Sequence, residues 1–94
     1  MTPRQISLAR HALGLKGSRK VSYRNYFSVG SGAPDYDDWM EMVRQGNAVR
    51  RIGPTQAGTL FGGDDIFHLT RSGATSVLKD GESLDPEDFP PVPA

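Results

Sequence analysis

Tyr36, Trp39, Met40 and Val43 recur at i, i+3, i+4 and i+7, and no other stretch of this chain limits its fold so firmly. That spacing gathers four large apolar side chains into one stripe of an α-helix, and in so small a chain the stripe belongs in the core. The flanks agree. Asp35 is placed to cap the helix, and Asp37 and Asp38 set negative charge against its N-terminus, where the dipole favours it. Arg44 falls in the last turn and Gly46 stops the helix, which is expected over residues 36–45.

A second helix is marked at both ends. Thr2 and Gln5 form a Thr-x-x-Gln capping box with Pro3 at the first helical position. Ile6, Ala9 and Leu13 share a face, Gly14 suits a left-handed C-terminal cap, and Leu15 is its hydrophobic partner. Helix is expected over residues 3–13. The basic loop Lys16-Gly17-Ser18-Arg19-Lys20 follows.

Residues 21–27 have an ambiguous period. Val21, Tyr23 and Asn25 alternate as in a strand, whereas Tyr23, Tyr26 and Phe27 suit a helical turn; the reading leans to a helical turn or irregular chain. Residues 28–34 read as an exposed glycine and proline loop. Ala48 to Ile52 and Ile66 to Leu69 read as two antiparallel strands, joined by a loop or wing over residues 53–65 with Leu60 and Phe61 tucked inward. Thr70 then caps a short helix over residues 71–78, with Ala74, Val77 and Leu78 facing in. The final 16 residues hold four prolines and five carboxylates. So few apolar groups cannot offset the entropy of ordering, and residues 79–94 read as a disordered acidic tail.

The length of 94 residues allows one domain. Its small core is compatible with a homodimer. With no cysteine there is no disulfide framework, thiolate metal site or thiol catalysis. No apolar run is long enough to span a bilayer, and the start lacks the apolar stretch of a signal peptide, so a cytoplasmic protein without a membrane partner is expected. The net charge is zero but unevenly spread. Residues 1–53 carry nine Lys/Arg against four Asp/Glu, and residues 54–94 carry two against seven. Such a split is read as a basic face with an acidic tail.

The constellations that could carry chemistry are thin. Gly62-Gly63-Asp64-Asp65 has the form of turns that hold magnesium through paired carboxylates, and His68 lies close by in sequence. No phosphate loop or second carboxylate strand accompanies them, so solvated aspartates in a glycine turn are expected, with no enzymatic activity, metal or cofactor. Two surfaces carry more weight. Arg19, Lys20, Arg24, Arg50 and Arg51 are the candidate nucleic-acid contacts. Tyr23, Tyr26 and Phe27 are the candidate protein contacts.

Two resemblances bear on these readings. Residues 42–51, Met-Val-Arg-Gln-Gly-Asn-Ala-Val-Arg-Arg, and then Phe67-His68-Leu69-Thr70-Arg71-Ser72-Gly73 resemble the end of a winged-helix domain, where a helix stops at glycine, a strand enters the wing, and the return strand runs into a threonine-capped helix. The helix in the recognition position would bring Asp35, Asp37 and Asp38 against phosphates, which repel them, so the resemblance implies architecture and not DNA reading. The frame Met1-Thr2-Pro3-Arg4-Gln5, Ala9 to Leu15, Tyr23-Arg24-Asn25, Asp35 to Met40 and Gly62-Gly63-Asp64-Asp65 with Phe67, Leu69 and Thr70 is similar to small proteins of tailed bacteriophages and prophages with no assigned activity. That resemblance covers residues 1–78 and implies the cytoplasm of an infected or lysogenic bacterium. It brings no functional residues with it.

The expectation is therefore an α+β chain: one helix-rich domain over residues 1–78 with an antiparallel β-hairpin, winged-helix-like in one form it can take, then the tail. Its function is expected to be a non-enzymatic, phage-encoded protein-interaction module, with nucleic-acid binding by the basic N-terminal face as the alternative.

Overall fold

The computed structural model describes residues 1–51 and 64–90. Among them are α1 (Pro3–Leu13), β1 (Phe27–Val29), α2 (Pro34–Arg44), β2 (Ala48–Arg51), β3 (Asp65–Leu69) and α3 (Arg71–Ser76). The strands form one antiparallel sheet in the order β1-β3-β2. Residues 52–63 and 91–94 lie outside the described residues, and with them the expectations for Ile52, Leu60, Phe61, Gly62 and Gly63. No helix among the described residues is long and apolar enough to cross a membrane.

The sheet alternates as a half-buried sheet must. Asp65, Phe67 and Leu69 of β3 are buried, while Ile66 and His68 between them are half-buried. Phe67 pairs with Phe27 on one side and with Arg50 on the other. Its fully buried ring lies 5.5 Å from that of Trp39 on α2, nearly parallel, and Phe27 closes on Trp39 at 5.2 Å. Ala9, Ala12 and Leu13 of α1, Met42 of α2 and Ala74 of α3 join them in the interior.

The ends of α1 are as the sequence predicts. Thr2 Oγ1 accepts from the Gln5 N–H at 3.1 Å, and Gln5 Oε1 accepts from the Thr2 N–H at 3.0 Å. At the other end Gly14 takes φ 77°, with the Leu15 and Gly14 N–H groups donating back to Arg10 and His11 oxygens at 3.0 Å each. A Cβ on Gly14 would also fall inside the ring of Tyr23. Thr70 caps α3, its hydroxyl accepting from the Gly73 N–H at 3.0 Å, though the helix ends at Ser76 instead of residue 78.

Four expectations are corrected. Of the two readings of residues 21–27, irregular chain holds for residues 22–26 and the helical turn does not, and Phe27 begins a strand. Tyr23 and Tyr26 donate their N–H groups to the Leu13 and Ala12 oxygens at the open end of α1, and Asn25 bonds the backbone of Leu69; such distant partners decide the conformation where local period does not. Ser28 and Val29 belong to β1 and not to a loop. Asp35 does not cap α2: Ala33 holds the cap position without a side-chain bond, and Asp35 and Asp38 grip Arg4 at 2.5 and 2.7 Å.

The fourth concerns the acidic segment. Residues 79–90 are packed onto the body. Glu82 receives two bonds from the Arg10 guanidinium at 2.6 and 2.7 Å, with only 3% of its side chain exposed. The Ser83 N–H donates to Lys20 O, the Ser22 N–H donates to Ser83 O, and the Asp85 N–H donates to Ser22 Oγ. Phe89 is buried. Arg10, 72 positions away in the basic half of the chain, pairs with Glu82, and composition weighed by itself does not reveal that partner.

Candidate binding surface

Val21, Tyr23 and Tyr26 are exposed large side chains, and they lie together where the chain leaves α1. The last carbonyls of a helix lack intrahelical donors. Here the crossing chain supplies them, so Tyr23 to Tyr26 is held against the end of α1. Arg24 takes part, donating from Nη2 to the His11 oxygen at 2.7 Å and setting its charge at the negative end of the helix dipole. Tyr23 and Tyr26 remain 49% exposed each. The Arg19 guanidinium lies 4.3 Å above the Tyr23 ring, and that of Arg24 lies 5.3 Å from Tyr23 and 5.8 Å from Tyr26. Cation–π contacts of this kind hold rings and guanidinium groups in fixed relation at the surface.

Two shallow grooves meet at His11. One, of about 240 Å³, runs between α1 and β1 and is lined by His11, Arg24, Tyr26, Phe27 and Ser28. The other, of about 370 Å³, follows the outer face of α1 past Ile6 to Lys16 and Lys79. Among the described residues no carboxylate lines either groove. Phe27 forms the floor of the first, its ring 5.7 Å from His11 and packed on Trp39 beneath. It is thus less available to a partner than the two tyrosines.

The five basic candidates do not form one cluster. Arg19, Lys20 and Arg24 belong to this surface, but Arg50 and Arg51 stand on β2, on the far side of β3. Arg50 donates to Asp65 Oδ2 at 2.7 Å, and the Tyr36 hydroxyl donates to the same oxygen at 2.6 Å. That shared carboxylate ties α2, β2 and β3 together. Its hydrogen bond raises the Tyr36 phenol and the Arg50 guanidinium above their ordinary pKa values.

The Asp64, Asp65 and His68 grouping separates in the same way. Asp65 and His68, an odd number of places apart on β3, project from opposite faces. His68 Nδ1 lies 2.6 Å from the Asn25 oxygen. No group of three metal-ligating side chains occurs among the described residues. The anchor that sequence reasoning missed is Arg10–Glu82, whose partners lie 72 positions apart with no shared motif. No family model, curated protein or solved structure matches this chain.

Proposed function

We propose that this chain is a non-enzymatic protein-binding module whose contact surface is built on Tyr23 and Tyr26. The observation that carries the reading is their exposure beside stacked arginines on a rigid support. Tyrosine and arginine dominate the energetics of protein interfaces, and side chains already fixed lose little entropy on binding. The dispersal of the basic residues, with Arg50 neutralised by Asp65, favours a protein partner over a nucleic-acid strand. In this reading the partner is a phage or host protein in a bacterial cytoplasm, as the resemblance to small phage and prophage proteins implies.

Photo-crosslinking tests it. A benzophenone side chain at Tyr26, and separately at the exposed Thr75 of α3 as a control, is irradiated in bacterial lysate. One discrete protein adduct from position 26 and none from position 75 is expected. Equal adducts from both, or nucleic acid as the sole adduct, would refute the proposal.

A further inference from the structure

The sheet leaves one edge that α1 only partly closes. β1 is an outer strand of the β1-β3-β2 sheet. The backbone groups of Leu69 on the β1 side are bonded by the Asn25 side chain, at 2.8 Å to the N–H and 3.0 Å to the oxygen. The Thr70 N–H turns the other way, to Asn47 O before β2. Alternation along β3 then aims the backbone groups of Phe67 and Asp65 at Phe27 and Val29, their register partners. Ser28, between them, directs its N–H and oxygen away from the sheet. Tyr26 obeys the same parity, its N–H donating outward to Ala12 O.

This outward edge opens on the groove of about 240 Å³. Ser28 Oγ is a buried hydroxyl with no hydrogen-bond partner among the described residues. Among the described residues the groove therefore offers an unpaired strand edge, with the Arg24 guanidinium and the His11 ring beside it and no carboxylate to oppose an acidic ligand.

We infer that the β1 edge at Ser28 takes an extended peptide strand from the partner protein, with a carboxylate of that strand set against Arg24 and His11. This rests on the protein-binding reading and names its ligand class. Strand addition takes its affinity from main-chain bonds and its selectivity from side-chain pockets. Here the main-chain groups are those of Ser28 and the Tyr26 oxygen, and the selective pocket is cationic. A free edge is also a hazard for self-pairing, so a second copy is the competing occupant.

The test titrates the isotope-labelled full chain with a short capped peptide of alternating valine and threonine bearing one glutamate. Two control peptides carry glutamine for the glutamate, or proline at the centre. The expected result is a shift and slowed exchange of the Ser28 amide with the first peptide, binding about fivefold weaker with glutamine, and none with proline. Ser28→Pro, which an edge strand tolerates because the lost N–H points outward, is expected to abolish binding while the fold survives. Unchanged Ser28 signals, equal binding of the proline peptide, Ser28 protection that rises with protein concentration alone, or displacement of the peptide by single-stranded DNA would each overturn the inference. Should Ser28→Pro retain the Tyr26 crosslink, the edge inference falls and the protein-binding reading stands.

Discussion

Gly73→Ala is expected to destabilise the protein, although the usual rule for helices says the opposite. Gly73 lies inside α3 without a positive φ, so its backbone would accept alanine. Helix preference alone then favours alanine by about 1 kcal/mol. The surroundings reverse the sign. A Cβ at Gly73 would sit 2.7 Å from the carbonyl carbon of Asn47 and 2.8 Å from its Cα, and closer still to its oxygen. These are backbone atoms in the turn before β2, and the same oxygen accepts from the Thr70 N–H at 3.0 Å. Relief requires α3 to move away from the sheet. Forced overpacking costs about 1–3 kcal/mol and a lost hydrogen bond about 1 kcal/mol, so the net loss is about 1–3 kcal/mol. In a domain this small that lowers Tm by roughly 5–20 °C. Calorimetry of Gly73→Ala beside Ser72→Ala, an exposed neighbour on the same helix, makes the comparison. A Tm for Gly73→Ala at or above that of the parent would refute the close approach of α3 to Asn47.

Other consequences concern the ends of the chain. The Arg10 guanidinium, then the Lys79 N–H, holds the Glu82 carboxyl down at about 2, against 4.5 for an ordinary glutamate. A depressed folded-state pKa gives stability that is present above the unfolded value and lost as pH falls through the folded one. Melts should therefore show Glu82→Gln less stable than the parent at pH 6, with the difference narrowing between pH 4.5 and 2. Phe89→Ala removes a buried ring, costs about 2–4 kcal/mol, and should speed amide exchange at Ser83 and Asp85 before that of β3. Thr2→Ala breaks the capping box and should cost about 1 kcal/mol in urea denaturation.

What could be read from the sequence was what the chain decides locally. Thr2 with Gln5, Gly14 with Leu15, and Thr70 before Gly73 each satisfy helix ends with residues a few positions away. The antiparallel pairing of β2 and β3 was legible in another way, from two apolar runs on either side of a glycine-rich stretch. β1 was not, because residues 23–29 take their conformation from α1 and from β3, and Asn25 bonds a residue 44 positions on. The acidic segment was misjudged because its composition looks too polar to order, while Arg10 and Ser22 supply its partners. At the surface, Tyr23, Tyr26, Arg19 and Arg24 lie close together in the fold, as their nearness in sequence suggests. Arg50 was grouped with them on charge alone, and its carboxylate partner Asp65 could be found only through the strand register.

The claim that most needs testing is that Tyr23 and Tyr26 form the contact surface. The double variant Tyr23→Ser/Tyr26→Ser, checked by its melt to confirm that it folds, should be measured by calorimetric titration against the protein recovered by crosslinking. Affinity at least about tenfold weaker is expected if the two tyrosines are the contact surface, as for the loss of interface anchors. Affinity equal to that of the parent would contradict the claim and move the contact surface elsewhere on the molecule.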